Sequence, residues 1–395
     1  WLGPFSPFSF LEITSFLIYD PRVFKKNYLQ KDLLLMPLVM ENIAVRDEGR
    51  DLLTGINLSL EAGTLHGLLC PAGSDRTTLL KVLSGLQKPC GGRLLFNGEN
   101  ITGKSPRKRN VAIVYQEFIN YPNLNVFDNI ASPLKRKSTY SKKDIKNRVE
   151  ELASLFGLSD YLKRLPGELS GGQQQRCAFA RALGKEADLL LLDDPLVNLD
   201  YKLREQLREE LKEILKKGSS TVVYATADPR EALGLGGKII ALHKGRVLQH
   251  EKATIVYEKP AHVEVAKMMS EPPLNLFKGD ISDGKISFHG LSCSISDHLK
   301  GLTPGSYLFG QRPHHFQQEE TNGKGILKGK VTYNEYNGLE TFTHLETIEG
   351  QEFLFHQKET VQYPKEEALY LRPDLDKLYI FGLAGDLVKA PSFGD

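Results

Sequence analysis

Four short stretches carry residue types whose spacing suits chemistry on a phosphate. The first is GLLCPAGSDRTTLLK, residues 67 to 81: an apolar strand end, a loop of small residues, two threonines and a helix start. A phosphate-binding loop reads G-x-x-x-x-G-K-S/T, with glycines that let the backbone close on the phosphate and a lysine that pairs its charge. Here Cys70 and Asp75 stand in the glycine slots and Arg76 in the lysine slot; Gly73 remains in the loop, and Thr77, followed by Thr78, fits. The second stretch is LSGGQQQR, Leu169 to Arg176. Ser170 can cap the helix that starts there, and Gly171 and Gly172, ahead of Gln173, allow a phosphate to approach exposed N–H groups. A bare Ser-Gly-Gly is an ordinary helix start, a reading that is weak for the whole octamer. The third is ADLLLLDDP, Ala187 to Pro195, an apolar strand ending in two carboxylates. In phosphate-loop proteins an Asp at such a strand end supports Mg²⁺, which makes Asp193 the metal candidate and puts Asp194 where a base or water-positioning carboxylate would stand. Plain strand ends also carry acids. The fourth is Gln116, which closes NVAIVYQ and can reach Mg²⁺ or an attacking water; by itself it reads as a loop residue.

The elements that must position these residues follow from periodicity. PLVMENIAVR and INLSLEAGTLHGLLC alternate as strands, the latter ending at Cys70. RTTLLKVLSGL has helical spacing, and RLLFNGENI carries the Asn-Gly hairpin signal at Asn97-Gly98. SKKDIKNRVEELASLFGL begins on a Ser cap, and GGQQQRCAFARAL is a second helix. ADLLLLDD and STVVYAT are buried strands, DYKLREQLREELKEILKK a long amphipathic helix, DPREALGLG a helix, and KIIALHKGRVLQH two closing strands. Strands alternating with helices predict a parallel α/β sheet. Past SEPPLNLF (270 to 277) the runs become short and β-type, split by Gly and Asn, which predicts a small β barrel with a boundary near Pro272.

Length and composition bound the class. A chain of 395 residues suggests two or three domains. A formal net charge of +2 gives no sign of a nucleic-acid binder. The four cysteines are far apart without metal-type spacing, which suits a reducing cytosol. No apolar run is long enough to span a membrane. Residues 1–35, from Trp1, are apolar but broken by Pro4, Pro7, Glu12 and Asp20, and lack a basic signal-peptide start. They read as an extension without a clear fold role, or alternatively as a membrane-surface or partner-binding segment. His314 and His315 invite a metal reading, but neighbours on a strand point to opposite faces, so surface histidines are preferred. The Lys/Arg run at 135–143 reads as a solvated face.

In order, these pieces resemble the ATP-binding subunit of an ABC transporter, from about residue 38 onward: phosphate loop (70–78), glutamine loop (Gln116), signature LSGGQ (169–173), magnesium-aspartate strand (189–193), the turn VNLD (197–200) and a switch strand ending at ATAD (225–228). The tail, with GQRPHHF and LYLRPDLDKLYIFG, is similar to the regulatory OB-like β barrel of bacterial sugar-importer ATPases of the maltose type. YQEFINYPNLNVFDNIASPLK, NLDYKLREQLREEL and YATADPREALGLGG look closest to glycerol importers that use two different ATPase chains. The resemblance implies an ABC ATPase domain over 36–271, with a helical subdomain near 117–182, and a regulatory β-barrel domain over 272–395. It implies ATP and Mg²⁺ as cofactors, and as partners a second ATPase subunit, transmembrane permease subunits and, indirectly, a solute-binding protein. It also implies a peripheral place on the cytoplasmic face of the bacterial inner membrane.

The family's ATP site is composite, one subunit giving the loop, glutamine, carboxylates and switch histidine, the other the signature. By this resemblance the chain's own half is damaged. Asp47 stands where an aromatic would stack on adenine, Cys70 and Asp75 bring side chains and a negative charge toward the phosphate, and Arg76 replaces lysine. Asp194 is shorter than the family's Glu, and Ala227 stands at the switch histidine. The half offered to a partner is intact: Ser170, Gly171, Gly172, Gln173, and Asp200 in the dimer turn. Three readings remain open: the degenerate half of a heterodimeric importer ATPase, an active homodimeric one, and a regulatory scaffold that does not use nucleotide.

Overall fold

The strand Leu189–Asp193 is buried at every position, as is Thr221–Thr226. Alternate side chains of a strand leave opposite faces, so such a run needs cover on both sides. Leu189, Leu191, Val223 and Ala225 enter one core, and Leu190, Leu192, Val222 and Tyr224 enter another. The computed structural model that reveals this describes residues 38–71, 73–136, 140–196, 204–205, 208–209 and 220–392. The extension 1–35 and the turn carrying Asp200 lie outside the described residues, as does the expected long helix apart from 204–205 and 208–209.

The six-stranded sheet between the two cores runs Arg246–Lys252, Lys238–His243, Leu65–Leu69, Thr221–Thr226, Leu189–Asp193, Val111–Val114. Its inner pairings are parallel and only the Arg246–Lys252 edge is antiparallel, as the alternation of strands and helices predicts. One face is covered by the helix Ser74–Ser84 and a four-stranded antiparallel sheet, Arg50–Leu60, Leu38–Asp47, Gly91–Phe96, Glu99–Asn100. The Asn97-Gly98 turn closes the last hairpin with both residues at positive φ, 49° and 74°, the conformation that Asn-Gly favours. The other core is built with the helices Val126–Ala131, Lys142–Leu155 and Gly171–Gly184. Ser141 caps the second of these in a reciprocal box with Asp144.

Beyond Pro272 the chain forms two antiparallel sheets, of six and five strands. Asn275–Ser282 alternates buried and exposed positions, and its Phe277 and Ile281 share one core with Leu327, Val331, Leu345 and Leu371 of the other sheet. The histidine pair departs from expectation. His314 and His315 lie on a 3₁₀ turn, Pro313–His315, not on a strand, because Pro313 opens the turn; their rings are 4.3 Å apart and burial pushes His315 down to about 4.

A buried histidine links two strands of the core sheet. His66 is fully buried on Leu65–Leu69, with Nε2 2.7 Å from Thr64 Oγ1 and Nδ1 3.1 Å from His250 Nε2. Burial first, then the His250 charge, pushes its pKa down to about 4 from 6.5. Between those values the unfolded chain binds the proton and the folded ring does not, so this stability is present above the unfolded value and is lost as pH falls. The linkage amounts to roughly 3 kcal/mol. We predict that urea unfolding shows wild type losing more stability than His66→Gln between pH 7 and about 4.5; parallel pH profiles would refute the assignment.

Candidate functional site

The parallel register sets Leu69 beside Thr226 and Asp193 beside Ala225. The carboxyl ends of three strands therefore converge where residues 70–73 lead into the helix Ser74–Ser84, the place where open α/β sheets take ligands. Gly73 holds the N-cap position of that helix with extended backbone and no side-chain cap, so the first-turn N–H groups are left for another acceptor.

Arg76, on the first turn, fills this point of convergence. Its Nη2 lies 2.6 Å from Asp194 Oδ2 and its Nε 3.1 Å from Asp193 Oδ1. The Arg76, Asp193 and Asp194 side chains are only 8%, 7% and 14% exposed, so this is a buried ion cluster and not a screened surface pair. Thr77 Oγ1 donates to Asp193 Oδ2 at 3.2 Å. Burial raises the Asp193 carboxyl above its usual value, with the Arg76 charge opposing. Asp194 sits in the left-handed region at φ 44°, which Asp tolerates better than most residues, and its N–H donates to Ala225 O at 2.9 Å. Arg76 Nη1 and Asp193 Oδ1, both buried, have no hydrogen-bond partner among the described residues.

Two substitutions read from the sequence as intruding on the phosphate do not act that way. Cys70 is 3% exposed and packs in the core between the sheet and its cover, where burial first and Asp75 second push its thiol up to about 11. The neighbouring apolar strands attract the thiol as they would a small hydrophobe. Asp75 does not stand as a loose negative charge beside the loop: its Oδ2 accepts the Gly245 N–H at 2.7 Å, in the turn between the two closing strands. Arg76 is thus the substitution that alters the centre.

The remaining residues divide by position. Thr78 is buried below the loop. Gln116 is exposed on the bend after Val111–Val114, whereas Tyr115 beside it is raised by burial and then by the Asp193 charge. Ala227 is exposed just past the switch strand, and Asp47 is exposed at the end of Leu38–Asp47. Sequence reasoning missed Glu231, a buried carboxylate that accepts from Thr226 Oγ1 at 2.8 Å and Tyr224 Oη at 3.1 Å and so fixes the end of the switch strand. It also missed Asn129, fully buried, whose amide bonds the backbone of Tyr121, Leu124 and Asn125 and shapes the loop that exposes Ile119 and Tyr121. An acid in a surface-like DPREA run and an Asn inside a helix give no sign of these partners.

The signature stretch folds as its pattern predicts. Ser170 caps Gly171–Gly184: its hydroxyl accepts the Gln173 N–H at 3.3 Å while Gln173 Oε1 accepts the Ser170 N–H at 2.9 Å. Buried Gln175 donates to Pro195 O, tying this helix to the residue after Asp194. Ser170 and Gly171 are exposed, Gly172 and Gln173 partly so, and a Cβ placed on Gly171 would meet no atom within 4 Å. No contact among the described residues therefore requires glycine there.

These residues can be tested against the groups such a loop would hold. Mg²⁺ demands oxygens in near-octahedral array at about 2.0–2.1 Å. Asp193 and Asp194 instead face a guanidinium, and Thr77 gives its hydroxyl proton to Asp193. As arranged, they do not fit a divalent cation. The uncapped helix start and the unpartnered Arg76 Nη1 suit an anion.

Comparison with known proteins agrees with the geometry. The ABC transporter family model matches residues 53–197. The oligosaccharides import ATP-binding protein MsmX of Bacillus subtilis is 32% identical over 79% of this chain and 87% of its own length. The Fe(3+) ions import ATP-binding protein FbpC 1 of Rhizobium meliloti is 35% identical over 80% and 90%. The sulfate/thiosulfate import ATP-binding protein CysA of Neisseria meningitidis is 32% identical over 88% and 97%. Among solved structures, the dimeric post-hydrolysis state of the ATP-binding cassette MJ0796 bound to ADP and Pi aligns at a TM-score of 0.50 and 28% identity, over 55% of this chain and 98% of that one.

The position of Asp75 generates a prediction. Asp75→Ala should lower stability by roughly 1–2 kcal/mol, the range of a charge-assisted hydrogen bond at a partly exposed site. The urea midpoint should fall with the slope unchanged. An unaltered midpoint would mean that the Gly245 bond contributes nothing.

Proposed function

Since this chain belongs to the ATP-binding subunits of import-type ABC transporters, we propose that it is the catalytically degenerate half of a heterodimer. In this reading it completes a partner's ATP site through its signature. The observation that carries the reading is the Arg76 cluster. The cation in the lysine slot is held by Asp193 and Asp194, the two carboxylates on which metal binding and water activation would depend. Its own site then lacks a free lysine-type charge for the phosphate, a metal ligand pair, and, with Ala227, a switch side chain able to hydrogen-bond.

The signature is in the opposite condition. Ser170 and Gln173 order the helix start, and Gly171 is exposed with open space where a Cβ would stand. A helix N-terminus of this kind stabilises charge developing on a phosphate that a partner holds. The solved MJ0796 cassette is a dimer bound to ADP and Pi, which supports a reading in which two cassettes come together. The permease subunits would dock where Ile119 and Tyr121 stand 54% and 46% exposed beside the signature helix. A peripheral place on the cytoplasmic face of the membrane follows from that docking; no helix among the described residues is long and apolar enough to cross a membrane.

The solute belongs to the permease and the binding protein. The relatives are named for oligosaccharides, ferric ions and sulfate at 32–35% identity, so identity at this level does not select a solute. A carbohydrate or polyol, with glycerol as the specific candidate, rests on the resemblance of 115–135, 198–211 and 224–237 to glycerol-importer chains. The two C-terminal sheets are read as the regulatory OB-like barrel domain, joined near Pro272.

The test uses the assembled transporter with its partner ATPase. Gly171→Asp has room within this chain, so it should fold, yet it should abolish ATP hydrolysis by placing a carboxylate against the partner's phosphate. Arg76→Ala should leave hydrolysis within a few-fold, because in this reading no turnover passes through the loop. Equal loss in both would mean that this chain's own site turns over; no loss in either would mean that the signature is unused and that the chain is a scaffold.

A further inference from the structure

Arg76 does more than fail as a lysine. We infer that its guanidinium takes the place of the divalent cation, making this chain's own site one that excludes Mg²⁺ and takes phosphate groups, if offered, as a metal-free anion. The inference rests on the degenerate-site reading and gives it a chemical cause.

Three oxygen-bearing side chains converge on this point. Thr77 Oγ1 lies 3.2 Å from Asp193 Oδ2, and Asp193 Oδ1 and Asp194 Oδ2 lie 3.1 Å and 2.6 Å from guanidinium nitrogens. A hydroxyl and two carboxylates are a hard oxygen set of the kind that binds Mg²⁺ or Mn²⁺. The guanidinium satisfies the same charge without a metal. Its planar fork reaches both carboxylates at once, which a single ammonium point charge would do less well. The cluster is held from several sides. Asp194 is fixed by Ala225 O, Pro195 by Gln175, and the helix carrying Arg76 by the Asp75 bond to Gly245. Moving Arg76 out would strand two buried carboxylates, the step that makes buried clusters costly to break. Arg76 Nη1 and Nε are both buried without a hydrogen-bond partner among the described residues, and with Nε 3.1 Å from Asp193 Oδ1, Nη1 is the donor used in neither carboxylate contact above. It belongs to the helix turn whose N–H groups are uncapped, so the donors that remain suit an anion.

The experiment uses the full chain, purified without its partner. Bound Mn²⁺ is counted by the loss of the free-ion electron paramagnetic resonance signal, for wild type, Arg76→Gln and Arg76→Gln/Asp193→Asn. Wild type should show no saturable site, Arg76→Gln should gain one, and the double variant should lose it again. A wild-type site as tight as that of Arg76→Gln and abolished by Asp193→Asn would overturn the inference, as would an Arg76→Gln chain that folds and gains none. If Arg76→Gln does not fold, wild type alone decides, by titration with a fluorescent ATP analogue in Mg²⁺ and in EDTA. Affinities equal within a few-fold support the inference, and no binding in either buffer contradicts it. Binding tighter in Mg²⁺ by about tenfold or more contradicts it. These readouts involve no hydrolysis, so they separate this inference from the heterodimer reading: a chain can exclude Mn²⁺ and still leave its signature unused.

Discussion

The ion cluster of Arg76 with Asp193 and Asp194 is the constraint on which the rest of this site depends. A parallel sheet brings the ends of its strands to one edge, and a helix entering there points its first turn at whatever those ends carry. Two carboxylates at that edge, one of them raised by burial, require a cation. Where a nucleotide loop would leave that role to a metal and keep its own cation for the phosphate, this chain supplies the cation from the loop itself. Buried clusters of this type contribute little net stability over an apolar replacement, but removing one partner is costly, by about 3–5 kcal/mol. In the proposed reading, that cost keeps the guanidinium in the place a metal would need.

The same cluster links the site to the signature. Gln175 on the signature helix donates to Pro195 O, one residue beyond Asp194. The carboxylate strand end and the signature helix are thus joined by a direct hydrogen bond. The capped, glycine-bearing start of that helix is exposed, and the proposal that it completes a partner's site rests on that exposure.

Much of the fold was legible because it depends on local periodicity and capping. The four-leucine run before Asp193 reads as a buried strand; Asn97-Gly98 carries the hairpin signal; and Ser170 with Gln173, three positions apart, is a capping box. The site was legible in outline for the same reason, since motif order placed each stretch at the sheet edge. What sequence could not give was the partner of each altered side chain. Cys70 in a glycine slot reads as an obstruction, yet it turns into the core. Asp75 reads as a repelling charge, yet it accepts the N–H of Gly245, 170 positions away in sequence. Arg76 reads as a modified lysine, and its attachment to both carboxylates depends on the register of two strands. His315 shows the same limit from the other side, because one proline converted an expected strand into a turn.

The central claim is that Arg76 and the two carboxylates act as one buried unit, and a double-mutant cycle on stability tests it most directly. Arg76→Met, Asp194→Asn and the pair would be compared by urea unfolding at neutral pH. The account predicts that the double variant recovers much of what Arg76→Met loses, with a coupling of about 2 kcal/mol or more, in the upper range for residues in direct contact. Effects that add within about 0.5 kcal/mol, as they do for independent sites, would contradict it.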